Sequence, residues 1–502
     1  MVTRRRCKIA LVCIIIFFLT FVGTIFGVQF ATKTGIFYVP GEVIYAESLN
    51  DAEREVLAEI FTEEVKIDKD VTISASYYLE KPALNPGEFL YDILVPVTDF
   101  YGTETETDIA ILNTASSSFT TVIDGEIERV GDDFISLSEL DATKKLLTLD
   151  GKYYLDDFSG GAIFRVVKFE SEKLETEILP LVSEEFTKTW PEKETVLTFA
   201  QTGVTALSRG MHTKLNQVGN AEYFAEHLAE YLSGFDLTHT SNEASFTSAA
   251  NSKNICSDPR FIGTLTAIGL DIVELTGNHN LDCGDAAAKS TIDIYGENGI
   301  LVVGGGKTAT EAAKALEISE KGTRISMFAY NLSTGGSTYD NTPGANQYYE
   351  EKAAAEIKTA KERGDFVIVD VQYYECNAYD SKVEKTTCDY ADSAAGDQVG
   401  FFRHLVDLGA DIVVGTSAHQ PQTFELYGNG AIYYGLGNLF FDQVWWPGTT
   451  RSLILAHYFY DGKLLQTKIV PTVYDDSMQT KLMDEEGAAW FLKRLVDARP
   501  EK

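Results

Sequence analysis

The sequence predicts an α/β protein: a layered α/β region, a smaller α/β or α+β region before it, and a membrane anchor at the N-terminus. Three observations predict this. First, Ile9–Ala31 is an uncharged, mostly apolar run of 23 residues preceded by Arg4, Arg5, Arg6 and Lys8. Second, short alternating runs punctuated by Gly, Asp and Asn fill residues 49–185, the pattern of strands. Third, after residue 195 apolar strands alternate with amphipathic helices, which argues for helices layered on sheets.

The anchor comes first. At about 1.5 Å per residue, 23 helical residues cross a hydrocarbon core of about 30 Å. The run ends in Val28-Gln29-Phe30-Ala31, a poor cleavage site, so an uncleaved anchor is expected rather than a removed signal. Basic residues on its N-terminal side place that end in the cytoplasm. The chain after residue 33 is then expected outside the cell membrane. Residues 1–33 form the basic end and anchor, and 34–48 a stalk.

Charge supports this division. Lys and Arg total 42, Asp and Glu 75, and the net charge is −33. The first 33 residues hold five basic groups and no acid, so +5 of charge there leaves −38 on the rest. So acidic a body repels phosphate backbones, which argues against a nucleic-acid partner.

Residues 49–185 form the first expected domain. A helix capped near Asn50-Asp51 runs through Glu63, and strands follow near 71–77, 93–100, 109–112, 134–137 and 162–169. This region has no His and no Cys and shows no compact catalytic constellation. A charged linker with Pro191 follows. The second domain, 195–475, is read as strands at 195–200, 271–275, 300–303, 366–371 and 411–415. Helices are expected at 221–232, 286–298, 346–363 and 397–408, with strands near 431–434, 453–460 and 464–470. Residues 476–502 supply a terminal helix. Of four cysteines outside the anchor region, Cys376 and Cys388 flank a short polar loop and are expected to pair; three full pairings are open. Gly304-Gly305-Gly306-Lys307 lacks phosphate-loop spacing and reads as a tight turn.

Five strand ends in this second domain carry polar groups with no evident folding role: Gln201 to Arg209, Ser241-Asn242-Glu243, Asn278-His279 through Asp282, Gln372 through Glu375, and His419-Gln420 with Glu425. Sites in α/β sheets form at such strand ends, so five of them signal one site.

Two segments carry a family resemblance. One is Glu274-Leu275-Thr276-Gly277-Asn278-His279-Asn280-Leu281-Asp282-Cys283-Gly284. The other runs from Leu408-Gly409-Ala410-Asp411 through His419 and Glu425 to Leu436-Gly437-Asn438-Leu439-Phe440-Phe441-Asp442. With them, residues 195–475 resemble the CapA family of bacterial capsule or poly-γ-glutamate synthesis proteins. The resemblance implies a metallophosphoesterase-like (calcineurin-like) αββα sandwich. The chain departs from the family pattern at four places, one being the Asn-Leu-Glu element, which is here Ser241-Asn242-Glu243. Gln201-Thr202-Gly203 stands where the family has Gly-Asp. Gln372 stands for the His of His-Trp-Gly, and Ser417 for the first His of His-x-His. Two-metal phosphoester chemistry needs several hard or imidazole ligands, so a modified site is expected. It holds one divalent metal (Mn, Zn or Fe) through Asn242, Asn278 and His419, with Glu243, or it holds none.

If the site is catalytic, His279 is the general acid or base, oriented by Asp282. Glu243 or Glu375 is the second carboxylate. Arg209 holds an anionic group of the substrate, and Gln372, Gln420 and Glu425 contact it. The expected partner is an envelope polymer: γ-linked glutamyl, peptide or glycan. Two readings stand open. One is a hydrolase or transferase of capsule or envelope polymer synthesis. The other is an inactive relative that binds a polymer or assembly partner.

Overall fold

A computed structural model describes residues 43–500 except 47–48, 50–53, 56, 59–69, 103, 105, 108–133, 187–188, 333–334, 374–396 and 445–446. The expected anchor, most of the expected helix near 50–63, the strand near 109–112, Glu375, Cys376 and Cys388 lie outside the described residues. No helix among the described residues is long and apolar enough to cross a membrane.

The described chain divides into two compact units. They do not follow linear boundaries. The smaller comprises the described residues of 43–95, 134–138 and 159–190; the larger takes those of 96–107, 139–158 and 191–500. Two stretches of the expected first domain therefore belong to the larger unit. The reason is burial: Phe100 joins that unit's main core, and the Tyr101 hydroxyl accepts a bond from the Leu426 amide at 2.8 Å.

In the smaller unit, Val71–Tyr78 alternates buried and half-buried residues along its whole length, the period of a strand with one covered face. It pairs in parallel with Val43–Tyr45 and antiparallel with Ile163–Glu170. Val71, Ile73, Ala75, Val167, Phe169, Ile178 and Val182 form its core.

The larger unit is built on two sheets. The strands that matter are β1 (Leu197–Ala206), β2 (Leu237–Asn242), β3 (Ile272–Glu274), β4 (Leu301–Val303), β5 (Leu316–Glu320), β6 (Thr323–Asn331), β7 (Phe366–Gln372), β8 (Ile412–Gly415), β9 (Phe424–Tyr427), β10 (Gly430–Tyr433), β11 (Asn438–Phe441), β12 (Arg451–Tyr460), β13 (Lys463–Tyr474) and β14 (Thr480–Leu482). The first sheet runs β4-β3-β2-β1-β12-β13-β14, with β11 also paired to β1. The second runs β5-β6-β7-β8-β10-β9. β1 to β4 are parallel, as are β6, β7, β8 and β10.

Side chains of both sheets, among them Phe199, Ile272, Val303, Met327, Ile368, Ile412 and Leu455, share one buried core. The opposite face of the first sheet packs on α1 (Gly210–Val218), α2 (Asp285–Glu297) and shorter turns. The opposite face of the second packs on α3 (Glu350–Glu362) and α4 (Gln398–Asp407). The order is helix, sheet, sheet, helix, consistent with the layering that the resemblance implies. The terminal helix α5 (Glu485–Asp497) buries Phe491, Leu495 and Val496 in the shared core. Sequence reading missed α1, whose buried side is only Met211 and Leu215. The helix expected at 221–232 is instead two short turns, Glu222–Ala225 and Ala229–Leu232.

Candidate functional site

The site is assembled where parallel strands of both sheets end. Glu243 follows β2 directly, Asn278 and His279 lie four and five residues beyond β3, Gln372 is the last residue of β7, and His419 lies four beyond β8. Parallel strands place their C-terminal ends on one edge, so residues far apart in sequence converge.

Four of these groups meet. The Gln372 amide Nε2 donates to Asn278 Oδ1 at 3.1 Å and lies 3.5 Å from Glu243 Oε1. His419 Nε2 is 3.8 Å from Glu243 Oε2, and its Nδ1 pairs with Asn438 Oδ1 at 2.9 Å. Glu243, Gln372 and His419 are buried, while Asn278 is half-buried. Gly277 allows the approach: a Cβ there would sit 2.7 Å from Glu243 Cγ and 2.9 Å from its Cα. Any larger residue would push the Asn278 segment off the carboxylate.

At the edge of this cluster, His279 Nδ1 lies 2.8 Å from Asp282 Oδ2. An ionised carboxylate only accepts, so Nδ1 is the nitrogen that donates to Asp282. The turn is fixed by Asn280, whose amide donates to the Leu275 carbonyl at 3.0 Å and whose carbonyl accepts from Ser245 Oγ at 2.6 Å. Cys283 forms a disulfide with Cys256, 27 residues earlier.

The remaining candidates sit differently. Asn242 precedes Glu243 on an extended chain, so the two face opposite ways; its amide donates to the Ala244 carbonyl at 3.0 Å. Arg209 grips Asp442, Nε at 3.0 Å and Nη2 at 2.6 Å from Oδ1, while the other carboxylate oxygen accepts the Gly210 amide. Its guanidinium also lies 4.8 Å over the Phe441 ring. This charge is already matched within the fold: Asp442 accepts the first amide of α1, and its pairing with Arg209 ties that helix to the end of β11. Glu425 takes both ends of the Arg403 fork, at 2.9 and 2.7 Å, and accepts the Tyr434 hydroxyl. Gln420 is buried against Gly448. The structure thus gathers Glu243, Asn278, Gln372 and His419, with His279–Asp282 alongside, and gives Asn242, Arg209 and Glu425 other partners.

A second polar cluster lies deeper, between the sheets, and sequence reading did not gather it. Gln201 Nε2 donates to Asp370 Oδ1 at 2.6 Å, and His239 Nε2 is 3.1 Å from Asp370 Oδ2. His457 Nε2 is 3.4 Å from Gln201 Oε1, and its Nδ1 is 2.9 Å from Thr467 Oγ1. Glu274 completes the group and accepts the Thr276 amide. The side chains of Gln201, His239, Glu274, Asp370 and His457 are fully buried. Burial first, then the Asp370 charge, pushes the Glu274 carboxyl up to about 7; Ser241, Thr276 and His239 pull the other way. Burial and His239 hold His457 down to about 3. The signal was present as single polar residues inside apolar strands, as in Phe366-Val-Ile-Val-Asp370. A buried polar group requires a partner, but sequence does not say which.

The donor set does not suit a two-ion centre. It offers one carboxylate and one imidazole, and the Asn278 oxygen already accepts from an amide. Among the described residues no three His, Cys, Asp or Glu side chains are grouped to hold a metal ion.

Comparison with known proteins supports the resemblance. Residues 198–443 match the model of the bacterial capsule synthesis protein PGA_cap. Over these residues the chain is similar to the CapA family of capsule synthesis proteins. A capsule biosynthesis protein CapA of Bacillus anthracis is 24% identical over 55% of this chain and 67% of its own length. A PGA biosynthesis protein CapA of Bacillus subtilis (strain 168) is 23% identical over 47% of the chain and 59% of its own. A probable polyglutamine synthesis accessory protein of Mycobacterium tuberculosis is 26% identical over 38% of the chain and half of its own. The matched portion thus spans half to two thirds of these relatives, and residues 198–443 include Glu243, Asn278, Gln372 and His419.

Proposed function

We propose that this CapA-like protein acts in the synthesis of an anionic envelope polymer of the poly-γ-glutamate type. In this reading its site works through direct hydrogen bonds and proton transfer, as a hydrolase or transferase that needs no metal pair. One observation carries it: a buried Glu243–Gln372–Asn278–His419 cluster with an oriented His279–Asp282 pair at its edge.

The Gln372 amide supports the metal-free form. It stands where the resemblance implies a histidine, and its NH₂ group occupies the Asn278 oxygen that a metal would use. His279 Nε2 takes a proton from the attacking group or returns one to the leaving group, and Asp282 stabilises the imidazolium formed. Asn278 orients the scissile linkage. Glu243 and His419 hold the floor of the site.

The acidity of the body, −38 beyond residue 33, restricts the substrate. A polyanion meets repulsion at long range, so recognition must be local and short. The Cys256–Cys283 disulfide supports an exported body, since such bonds persist outside the reducing cytosol. The apolar run 9–31 supports anchoring in the cell membrane.

The test is a panel of poly-γ-glutamate, muropeptide and phosphorylated-glycan substrates, with metal analysis of the purified protein. Turnover without stoichiometric metal, lost in His279→Ala, supports the proposal. Turnover that follows metal content would overturn the metal-free form. Burial of Glu243, Gln372 and His419 favours a second reading, a polymer-binding protein without turnover; saturable polymer binding with no cleavage would select it.

A further inference from the structure

We propose that the Cys256–Cys283 disulfide is a positioning clamp for His279 and Asp282, so that this edge of the site is set only in the oxidised protein. The inference rests on the role given above to that pair.

The segment from Thr276 to Gly284 leaves β3 and turns back on itself. Its own bonds are short-range: Asn280 N to Gly277 O, Asp282 N to His279 O and Gly284 N to Leu281 O. Its position relative to the sheets is set at several points, among them the Asn331 amide that donates to the Thr276 carbonyl at 2.7 Å and the Gln372 amide on Asn278. Near its start, Gly277 presses on Glu243. In its middle, Asn280 bonds Leu275 and Ser245. At its end, Cys283, the residue after Asp282, is joined to Cys256.

Cys256 is itself well anchored. It is buried. The adjacent Ser257 amide bonds the Ser245 carbonyl at 2.9 Å. The preceding Ile255 packs on Val204, Ala206, Ala244 and Phe441, and its carbonyl lies 3.5 Å from Cys283 Sγ. The disulfide therefore ties the loop after β2, which begins with Glu243, to the loop after β3, which carries His279.

His279 and Asp282 keep solvent contact, with 24% and 43% of their side chains exposed, so burial does little to hold them. A carboxylate that exposed finds water as an equal partner. The covalent tie one residue away limits the positions Asp282 can take. A dithiol breaks the S–S bond to two protein thiols and is itself oxidised to a cyclic disulfide. The Asp282 backbone then gains freedom, and the carboxylate leaves Nδ1 for part of the time.

The experiment uses the full chain in detergent micelles, labelled with ¹⁵N-histidine, before and after dithiothreitol. The readouts are the His279 tautomer by NMR and amide exchange across residues 276–284. The oxidised protein is expected to show His279 protonated at Nδ1. Reduction should mix the tautomers and raise exchange of residues 279–284 about tenfold, and reoxidation should reverse both. Cys256→Ser/Cys283→Ser should resemble the reduced protein. An unchanged tautomer and exchange after verified reduction would overturn the clamp, as would peptide mapping that finds both cysteines free in the native protein. Neither readout uses turnover. A redox-dependent tautomer in a protein that neither cleaves nor binds polymer keeps the clamp and defeats the functional reading alone.

Discussion

Glu274→Gln should stabilise the protein at neutral pH and leave it nearly unchanged in mild acid. Glu274 lies fully buried between the sheets, with the Asp370 carboxylate among its neighbours. Its carboxyl is raised from 4.5 to about 7. The native state therefore holds this proton more tightly than the unfolded chain does. The stabilisation is complete below about pH 4.5 and is lost as pH rises through about 7. At about 1.36 kcal/mol for each tenfold change in proton affinity, the loss reaches about 3 kcal/mol above pH 7. Glutamine keeps the oxygen that accepts the Thr276 amide and mimics the protonated form. His457 works in the opposite direction: held low by burial, it weakens the fold as pH falls below 6.5. The wild-type profile alone mixes the two, but the difference between variant and wild type isolates Glu274. Urea unfolding followed by circular dichroism between pH 4.5 and 8 measures it. The variant should gain about 3 kcal/mol on the wild type across that range. Parallel profiles would show that Glu274 ionises normally, and the buried-cluster argument would fail.

Three further outcomes are expected. The double substitution Gln372→His/Ser417→His should raise metal content above that of the wild type, read as stoichiometric zinc or manganese after dialysis; stoichiometric metal already bound to the wild type would contradict the donor-set argument. Gly277→Ala forces a methyl group to 2.7 Å from Glu243 Cγ, so a loss of about 1–3 kcal/mol is expected from overpacking, together with weaker polymer binding. A variant of wild-type stability would mean the loop yields freely. Asp442→Ala leaves the Arg209 guanidinium without its carboxylate; with side chains 21% and 9% exposed, the cost should be about 2 kcal/mol in thermal or urea unfolding, and full stability would show that the pair contributes nothing.

Much of the fold is legible in the sequence because the strands are continuous apolar runs. Phe366–Val371 and Asp411–Gly415 read as buried strands, and they are β7 and β8. Helices with a broad apolar face, such as α4, were legible for the same reason. α1 was not, since two buried residues in nine leave little periodicity.

The site was legible by position and not by partner. Glu243, Asn278, Gln372 and His419 stood out as polar groups at strand ends, and they do meet, with His279 at their edge. Arg209 and Glu425 stood out equally. Their partners Asp442 and Arg403 are 233 and 22 residues away, and nothing local marks a charge as already matched. Asn242 and Glu243 are adjacent, so only the direction of the extended chain decides which one faces the cluster. The Cys256–Cys283 bond links loops after neighbouring strands. It leaves one other pair, Cys376 and Cys388, outside the anchor region.

The sequence by itself determined the α/β layering, the family segments, the acidic body and the polar strand ends, because periodicity, composition and short motifs are local properties. Tertiary structure alone decided which charges were already paired. It also set the Gln372 amide on Asn278, buried Glu274 beside Asp370, and stapled the His279 loop to its neighbour. Each of those depends on which strands lie side by side, and strand order is set by packing across the whole sheet.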